Sequence, residues 1–256
     1  MKFYKYHGTG NDFILIDNRQ KKIQLNAPEI KTLCHRHFGI GADGLMLLEE
    51  SNKADFHMVY FNSDGHESTM CGNGGRCIAA FAKHLGIVDT RCSFTAIDGL
   101  HTATIEDHIV TLKMNNVTDI KQFETYTQLN TGSPHYVHFS KNIESFDIKK
   151  EGQLIRYSPL FKEEGINVNF VEKISDNEIF VRTYERGVED ETLSCGTGVT
   201  ACAIAFKLHE IKKHTVRIKT LGGNLEVLFQ VHDKQNISEI YLKAEVARIF
   251  EGEIEL

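Results

Sequence analysis

The feature that most constrains this chain is a turn that occurs twice. Cys71-Gly72-Asn73-Gly74 and Cys195-Gly196-Thr197-Gly198 lie about half the chain length apart. Each follows strand-like runs, opens an alanine-rich segment and is succeeded by further strand-like runs. A duplicated α+β unit accounts for this order. Small side chains on several faces would let each alanine-rich helix sit centrally, closely wrapped by sheet. The expected organisation is two pseudo-symmetric halves on either side of Asn116. Residues 1–115, with the final strand 245–256 returning to them, form the first half, and residues 116–244 the second.

Local patterning fills in the elements. Phe3 to Asp17 reads as two strands around the turn Gly8-Thr9-Gly10-Asn11, and Ala27–His37 as a helix. Residues 45–48 and 56–61 read as strands, followed by a turn at Asn62-Ser63-Asp64-Gly65. The helix after Cys71 is expected to end at Gly86, a natural C-terminal cap. Strands are expected at 93–96, 101–106 and 109–114. In the second half they fall at 128–131, 166–172, 178–184, 215–220, 224–230 and 239–250, with a helix at 199–209.

The turn itself suggests chemistry. Glycines at this spacing are expected to bring backbone close to a ligand and to take positive φ. N–H groups of a first helical turn, together with the helix dipole, attract an anion such as a carboxylate. The same position favours the thiolate form of a cysteine. Two such turns acting on one carbon make a proton shuttle: a thiolate takes a proton from one face and a thiol delivers one to the other. The carbanion between them would pass charge into a carboxylate held by both turns. No Gly-Lys-Ser/Thr follows either turn, so a phosphate-binding loop is not supported. Cys34, Cys77, Cys92 and Cys202 read as small core residues.

Composition narrows the partners. A net charge of -6 argues against nucleic acid, whose phosphates need a basic face. No run is long and apolar enough to predict a membrane span. The first residues, charged throughout, lack the apolar stretch of a secretion signal, which points to the cytoplasm and to reduced thiols. None of the six cysteines forms a CxxC pair, and no metal site is expected.

Gly8-Thr9-Gly10-Asn11-Asp12-Phe13, Gly39-Ile40-Gly41-Ala42-Asp43-Gly44, Asn62-Ser63-Asp64-Gly65, Met70-Cys71-Gly72-Asn73-Gly74-Gly75-Arg76-Cys77 and Tyr184-Glu185-Arg186-Gly187 before Cys195-Gly196-Thr197-Gly198 follow one another in order. Together they resemble the diaminopimelate epimerase family, whose wider superfamily includes proline racemase and the phenazine-biosynthesis isomerases. The resemblance implies a cofactor-free interconversion of LL- and meso-diaminopimelate, on the way to lysine and peptidoglycan. It also implies two similar domains, each a curled mixed or antiparallel sheet around a central helix, with the site in the cleft between them, and a homodimer. Cys71 and Cys195 would be the acid/base pair. Gly72 with Asn73, and Gly196 with Thr197, would bind carboxylate. Asn11, Asn62 and Asn167 would bind substrate through their amides, and Glu185 and Arg186 would hold its amine and carboxylate. His135 and Glu185 would tune the cysteines.

The chain departs from the common family pattern in three places. Glycine stands at position 44 where glutamine is usual, Ser133 stands in place of asparagine, and the stretch from Glu185 to Cys195 is one residue longer. Two other readings remain open at this stage: a racemase for another amino acid, and a non-catalytic amino-acid-binding or redox-sensing protein.

Overall fold

The computed structural model describes residues 1–255. The chain folds as two compact units, one built from residues 1–112 with Ala244 onward, the other from residues 113–243.

The first unit contains β1 (Lys2–Gly8), β2 (Asn11–Asp17), α1 (Ala27–Cys34), β3 (Gly44–Glu49), β4 (Phe56–Asn62), α2 (Gly72–His84), β5 (Arg91–Ala96), β6 (Gly99–Glu106) and β7 (Ile109–Lys113). The strands lie side by side in chain order. The β2–β3 and β4–β5 pairs are parallel, and the other neighbours are antiparallel. Parallel neighbours need a crossover. The first holds α1 and the second α2.

The second unit contains β8 (Lys121–Gln122), β9 (Thr127–Asn130), β10 (Pro134–Phe139), α3 (Ile148–Arg156), β11 (Asn167–Ser175), β12 (Glu178–Glu185), β13 (Asp190–Thr192), α4 (Gly196–Lys207), β14 (Lys213–Thr220) and β15 (Gly223–Asp233). From β9 onward its pairings run antiparallel, parallel, antiparallel, parallel, antiparallel. That is the succession from β1 to β6. The crossovers carry α3 and α4, so α4 stands in the second unit where α2 stands in the first. The fold is therefore α+β and duplicated. The last strand, β16 (Asn236–Glu253), pairs through its end with β1.

Each unit has a helix on both faces of its central strands. In the first, Ile14, Ile16, Leu45 and Leu47 pack with Ile30 and Leu33 of α1. Alternate residues Phe13, Leu15, Met46 and Leu48 are buried as well. This explains why Leu45 to Leu48 is apolar without alternation, the mark of a strand covered on both sides. In the second, Ile148 of α3 packs with Val168, Phe170 and Tyr184. Residues Gly72 to Ala79 of α2 and Val199 to Ala205 of α4 are buried without a break. The alanines and glycines of both helices permit that close enclosure.

Some boundaries differ from the sequence expectation. Helix α1 stops at Cys34 rather than His37, because His35 is extended and the chain folds back. Ile40 and Gly41 then donate to the Leu33 carbonyl, satisfying the helix end. Helix α2 closes as expected at Gly86: Gly86 N–H donates to Lys83 O and Ile87 N–H to Ala82 O, a Schellman motif. Strand β10 and helix α3 have no counterpart in the sequence patterning.

Candidate active site

Cys71 is the N-cap of α2 and Cys195 the N-cap of α4. Both carbonyls accept the first helical hydrogen bond, from Gly75 and Val199 at 2.8 and 2.9 Å. Cys71 is half-buried and Cys195 is buried. The Cys71 Sγ accepts the Gly74 N–H at 3.1 Å. The Cys195 Sγ lies 3.5 Å from Thr197 Oγ1.

The expectation of positive φ in these turns is corrected by the structure. The positive-φ glycines do not include Gly72, Gly74, Gly75, Gly196 or Gly198, which are helical. What the turns require is space. A Cβ at Gly74 would stand 2.5 Å from Met46 Cε and 3.1 Å from Cys71 Sγ. A Cβ at Gly198 would stand 2.6 Å from Asn169 Oδ1 and 3.4 Å from Cys195 Sγ. Only glycine admits the sulfur and its neighbours so close to the helix.

The other sequence-named residues gather at matching strand ends. In the first unit Asn11 begins β2, Gly44 begins β3 and Asn62 ends β4, with Gly44 opposite Asn62. In the second, Ser133 and His135 flank the start of β10, Asn167 begins β11 and Glu185 ends β12, with His135 opposite Asn167. Asn62 ends the strand whose crossover holds α2, and Glu185 the strand whose crossover holds α4.

In the first unit, Asn73 Nδ2 donates to Asn11 Oδ1 at 3.2 Å. Asn11 Nδ2 donates to Asp43 at 2.7 Å, and Arg36 grips Asp43 and Asp12. Asn62 is exposed. Position 44 is glycine because Tyr60 fills the space beside it: a Cβ there would meet the Tyr60 ring at 2.6 Å and the Phe61 carbonyl at 2.7 Å.

In the second unit, Asn167 Nδ2 donates to Ser133 Oγ at 2.9 Å, and its Oδ1 accepts the Arg186 N–H at 2.9 Å. Arg186 Nη2 donates to Ser133 Oγ at 3.3 Å and Nη1 to Glu164 O at 3.0 Å. The serine thus joins Asn167 to Arg186. Glu185 accepts from Thr192 Oγ1 at 2.9 Å. His135 is fully buried, and its Nε2 lies 2.9 Å from Thr197 Oγ1. Burial, with the Arg186 charge, pulls its pKa down to about 3. It therefore reaches Cys195 through Thr197, as a neutral ring.

Three further residues belong to these networks. Thr9 and Thr131 are buried in equivalent turns, Thr9-Gly10 and Thr131-Gly132, where each glycine has positive φ. Thr9 Oγ1 lies 3.4 Å from Asn73 Oδ1, and Thr131 Oγ1 donates to Thr197 O at 2.7 Å. The repeated Thr-Gly pair was a second internal repeat, visible in the sequence, that locates these contacts. Asn169 is the third, buried behind His135.

Among the described residues no group of three or more His, Cys, Asp or Glu is placed to hold a metal ion, and no helix is long and apolar enough to cross a membrane. Burial pushes the Cys34 and Cys92 thiols up to about 12 and raises those of Cys77 and Cys202, as suits core residues. A surface cavity of about 880 Å³ beside Lys21, Glu50, His57 and Leu100 contains none of the site residues.

The duplicated fold is that of the phenazine-biosynthesis and proline-racemase class. A phenazine biosynthesis protein of the PhzF family from Bacillus anthracis superposes with a TM-score of 0.77 at 12% identity, covering 100% of this chain and 99% of that one. A hydroxyproline epimerase from Agrobacterium vitis superposes at 0.70 with 13% identity, covering 98% of this chain and 91% of that one. Residues 3–119 and 127–248 match the family described as diaminopimelate epimerase. The diaminopimelate epimerase of Flavobacterium psychrophilum is 53% identical over 99% of this chain and 100% of its own length. The chain belongs to the diaminopimelate epimerase family.

Proposed function

We propose that this protein interconverts LL- and meso-diaminopimelate without a cofactor, and that Cys71 and Cys195 exchange the α-proton. The observation that carries the reading is the repetition of one arrangement. Each cysteine caps a buried helix, and the residue two positions on is tied to the start of the strand that opens the first parallel pair of its unit, Asn73 to Asn11 of β2 and Thr197 to His135 of β10. Family membership supplies the substrate.

The chemistry follows from charge. One sulfur, as thiolate, takes the α-proton, and the C–H electron pair passes into the substrate carboxylate. The N–H groups of Gly72 and Asn73, and of Gly196 and Thr197, would stabilise that charge. The other sulfur, as thiol, gives its proton to the opposite face and ends as thiolate. The stereocentre is inverted and the proton count is unchanged. Arg186, steadied by Ser133 and Glu164, offers a planar fork to the distal carboxylate. Glu185, Asn11, Asn62 and Asn167 would contact the amine and carboxylate groups. We further place the protein in the cytoplasm, as a homodimer, with reduced thiols.

The test is incubation with LL-diaminopimelate in deuterated water, followed by NMR of the α-position. Deuterium entry with formation of the meso isomer is expected. Cys71→Ala and Cys195→Ala should each lower epimerisation by about a hundredfold to ten-thousandfold. Absence of exchange with this substrate, alongside exchange with another amino acid, would replace the substrate assignment. Full activity in either alanine variant would overturn the two-cysteine mechanism.

A further inference from the structure

The two half-sites differ in charge at the fifth position after the cysteine. Five residues after Cys71 stands Arg76; five residues after Cys195 stands Thr200. Both side chains bond the carbonyl of the first helical glycine: Arg76 Nη1 donates to Gly72 O at 3.1 Å and Thr200 Oγ1 to Gly196 O at 2.8 Å. One half-site therefore has a cation where the other has a hydroxyl.

Arg76 is 0% exposed. Its Nη2 donates to Asn73 Oδ1 at 2.9 Å and to Thr9 Oγ1 at 3.3 Å. Gly8 makes room for it, since a Cβ there would lie 3.2 Å from Nη2. All these acceptors are neutral, and the buried Nε has no hydrogen-bond partner. Among the described residues no carboxylate lies within 4.0 Å of the guanidinium. A buried charge is ordinarily paired, because desolvation is otherwise too costly. This one lies beside the N-terminal turn of α2.

We propose that Arg76 is a positioning residue that draws the negative charge of the cysteine pair to Cys71, so that in the resting protein Cys71 is the thiolate and Cys195 the thiol. Burial lowers the Arg76 pKa to about 10, and Cys77 and Cys71 act in the opposite direction. Arg76 is thus charged at neutral pH, and the attraction is mutual: a thiolate that favours the guanidinium is favoured by it. Nearby groups leave this bias standing. Cys77 is kept protonated by burial. Asp12 is held by Lys5 at 2.7 Å and by Arg36 at 2.8 Å, and Asp98 by His101 at 3.2 Å. His7 accepts the Gly10 N–H. In the second unit His135 is neutral and Arg186 is exposed, and among the described residues the buried cation there, Lys207, is paired with Glu210 at 2.7 Å. Arg76 would also reset the pair, returning the charge to Cys71 after a turnover that leaves it on Cys195.

This inference rests on the epimerase reading for its purpose but not for its test. The pH dependence of iodoacetamide alkylation is followed at each cysteine by peptide mass spectrometry, without substrate. The pH of half-maximal rate is compared, since it is independent of how accessible each sulfur is. In the wild type it should be lower for Cys71 than for Cys195. Arg76→Met should raise the Cys71 midpoint by about one pH unit and leave that of Cys195 in place. Arg76→Lys, which keeps the charge but not the fork, should restore most of the shift. Wild-type midpoints that coincide or are reversed would overturn the proposal, whether or not the methionine variant folds. So would equal shifts in the lysine and methionine variants, the signature of a structural role alone. Loss of epimerisation in deuterated water with the alkylation pattern intact would count against the epimerase reading only.

Discussion

His135 donates its Nε2–H to Thr197 Oγ1 across 2.9 Å, and this bond fixes the direction of the network behind Cys195. The direction is set by Asn169. Its Nδ2 donates to Tyr136 O at 3.0 Å while its Oδ1 accepts from Thr183 at 3.0 Å, so an N–H faces His135 Nδ1 at 3.1 Å. Nδ1 therefore accepts and Nε2 carries the hydrogen. Thr197, having accepted from His135, can give its hydroxyl hydrogen to a Cys195 thiolate or accept from a thiol. A neutral imidazole supports both states of the sulfur.

The buried imidazole makes stability depend on pH. An unfolded histidine protonates near 6.5, whereas folded His135 resists protonation until about 3. Its contribution is intact above pH 6.5 and drains away as the pH falls from there toward 3. His135→Gln, neutral throughout and able to hydrogen-bond, should flatten the fall in stability between pH 6 and 4 by up to about 1.4 kcal/mol per pH unit. Urea unfolding at several pH values measures this; an unchanged slope would contradict a buried neutral ring. Lower turnover with an unmoved acid limb is expected in the same variant.

The two glycines beside the cysteines should not respond alike to alanine. At Gly74 the nearest obstacle is the mobile end of Met46, 2.5 Å away, which can rotate. At Gly198 it is Asn169 Oδ1, 2.6 Å away and fixed by Thr183. Displacing Asn169 disturbs His135 and Thr197. Gly198→Ala should therefore lose at least about tenfold in kcat/KM, consistent with one misplaced hydrogen-bonding unit, and Gly74→Ala clearly less. Steady-state kinetics at constant pH decide between this and equal losses.

What the sequence made legible was the repeat, because Cys-Gly-x-Gly before small residues survives in both halves. What it hid has local causes. Strand β10 reads Pro-His-Tyr-Val-His-Phe, and its inward positions are His135 and Val137, so a buried histidine erased the expected alternation. Helix α3 carries Gly152 at its centre, which argues against a helix on propensity alone. The glycine is there because a Cβ would lie 2.4 Å from Tyr184 Cβ. The roles of Arg76 and Asn169 depended on which side chains the fold brings behind each cysteine, and no spacing rule shows that.

Gly44 tests how tightly the β3–β4 pair is packed. Any side chain there meets both the Tyr60 ring and the Phe61 carbonyl oxygen. The ring can move but the backbone oxygen is held in the β3–β4 ladder. Gly44→Gln should destabilise the protein by about 1–3 kcal/mol through overpacking, and adding Tyr60→Ala should recover only part. Thermal unfolding of the single and double variants measures both. A glutamine variant as stable as the wild type would show that the strand pair yields at this point.

Glu189 should govern substrate affinity more than the chemical step. It lies between Glu185 and Cys195, with φ of 59°. Its carboxylate accepts from Tyr157 at 3.0 Å, Tyr184 at 2.9 Å and the Gly187 N–H at 3.1 Å, and it lies 3.4 Å from Arg156. Burial opposes the charge, but the Gly187 N–H, the two hydroxyls and Arg156 outweigh it and hold the pKa below its ordinary value. These bonds pin the turn that carries Arg186, yet none of them reaches a cysteine. Glu189→Ala should loosen that turn, raise KM for diaminopimelate by about tenfold, the equivalent of about 1.4 kcal/mol, and leave kcat within a factor of about three. Glu189→Gln, which retains acceptor geometry without charge, should fall between. A fall in kcat at constant KM would instead place this turn in the proton-transfer step.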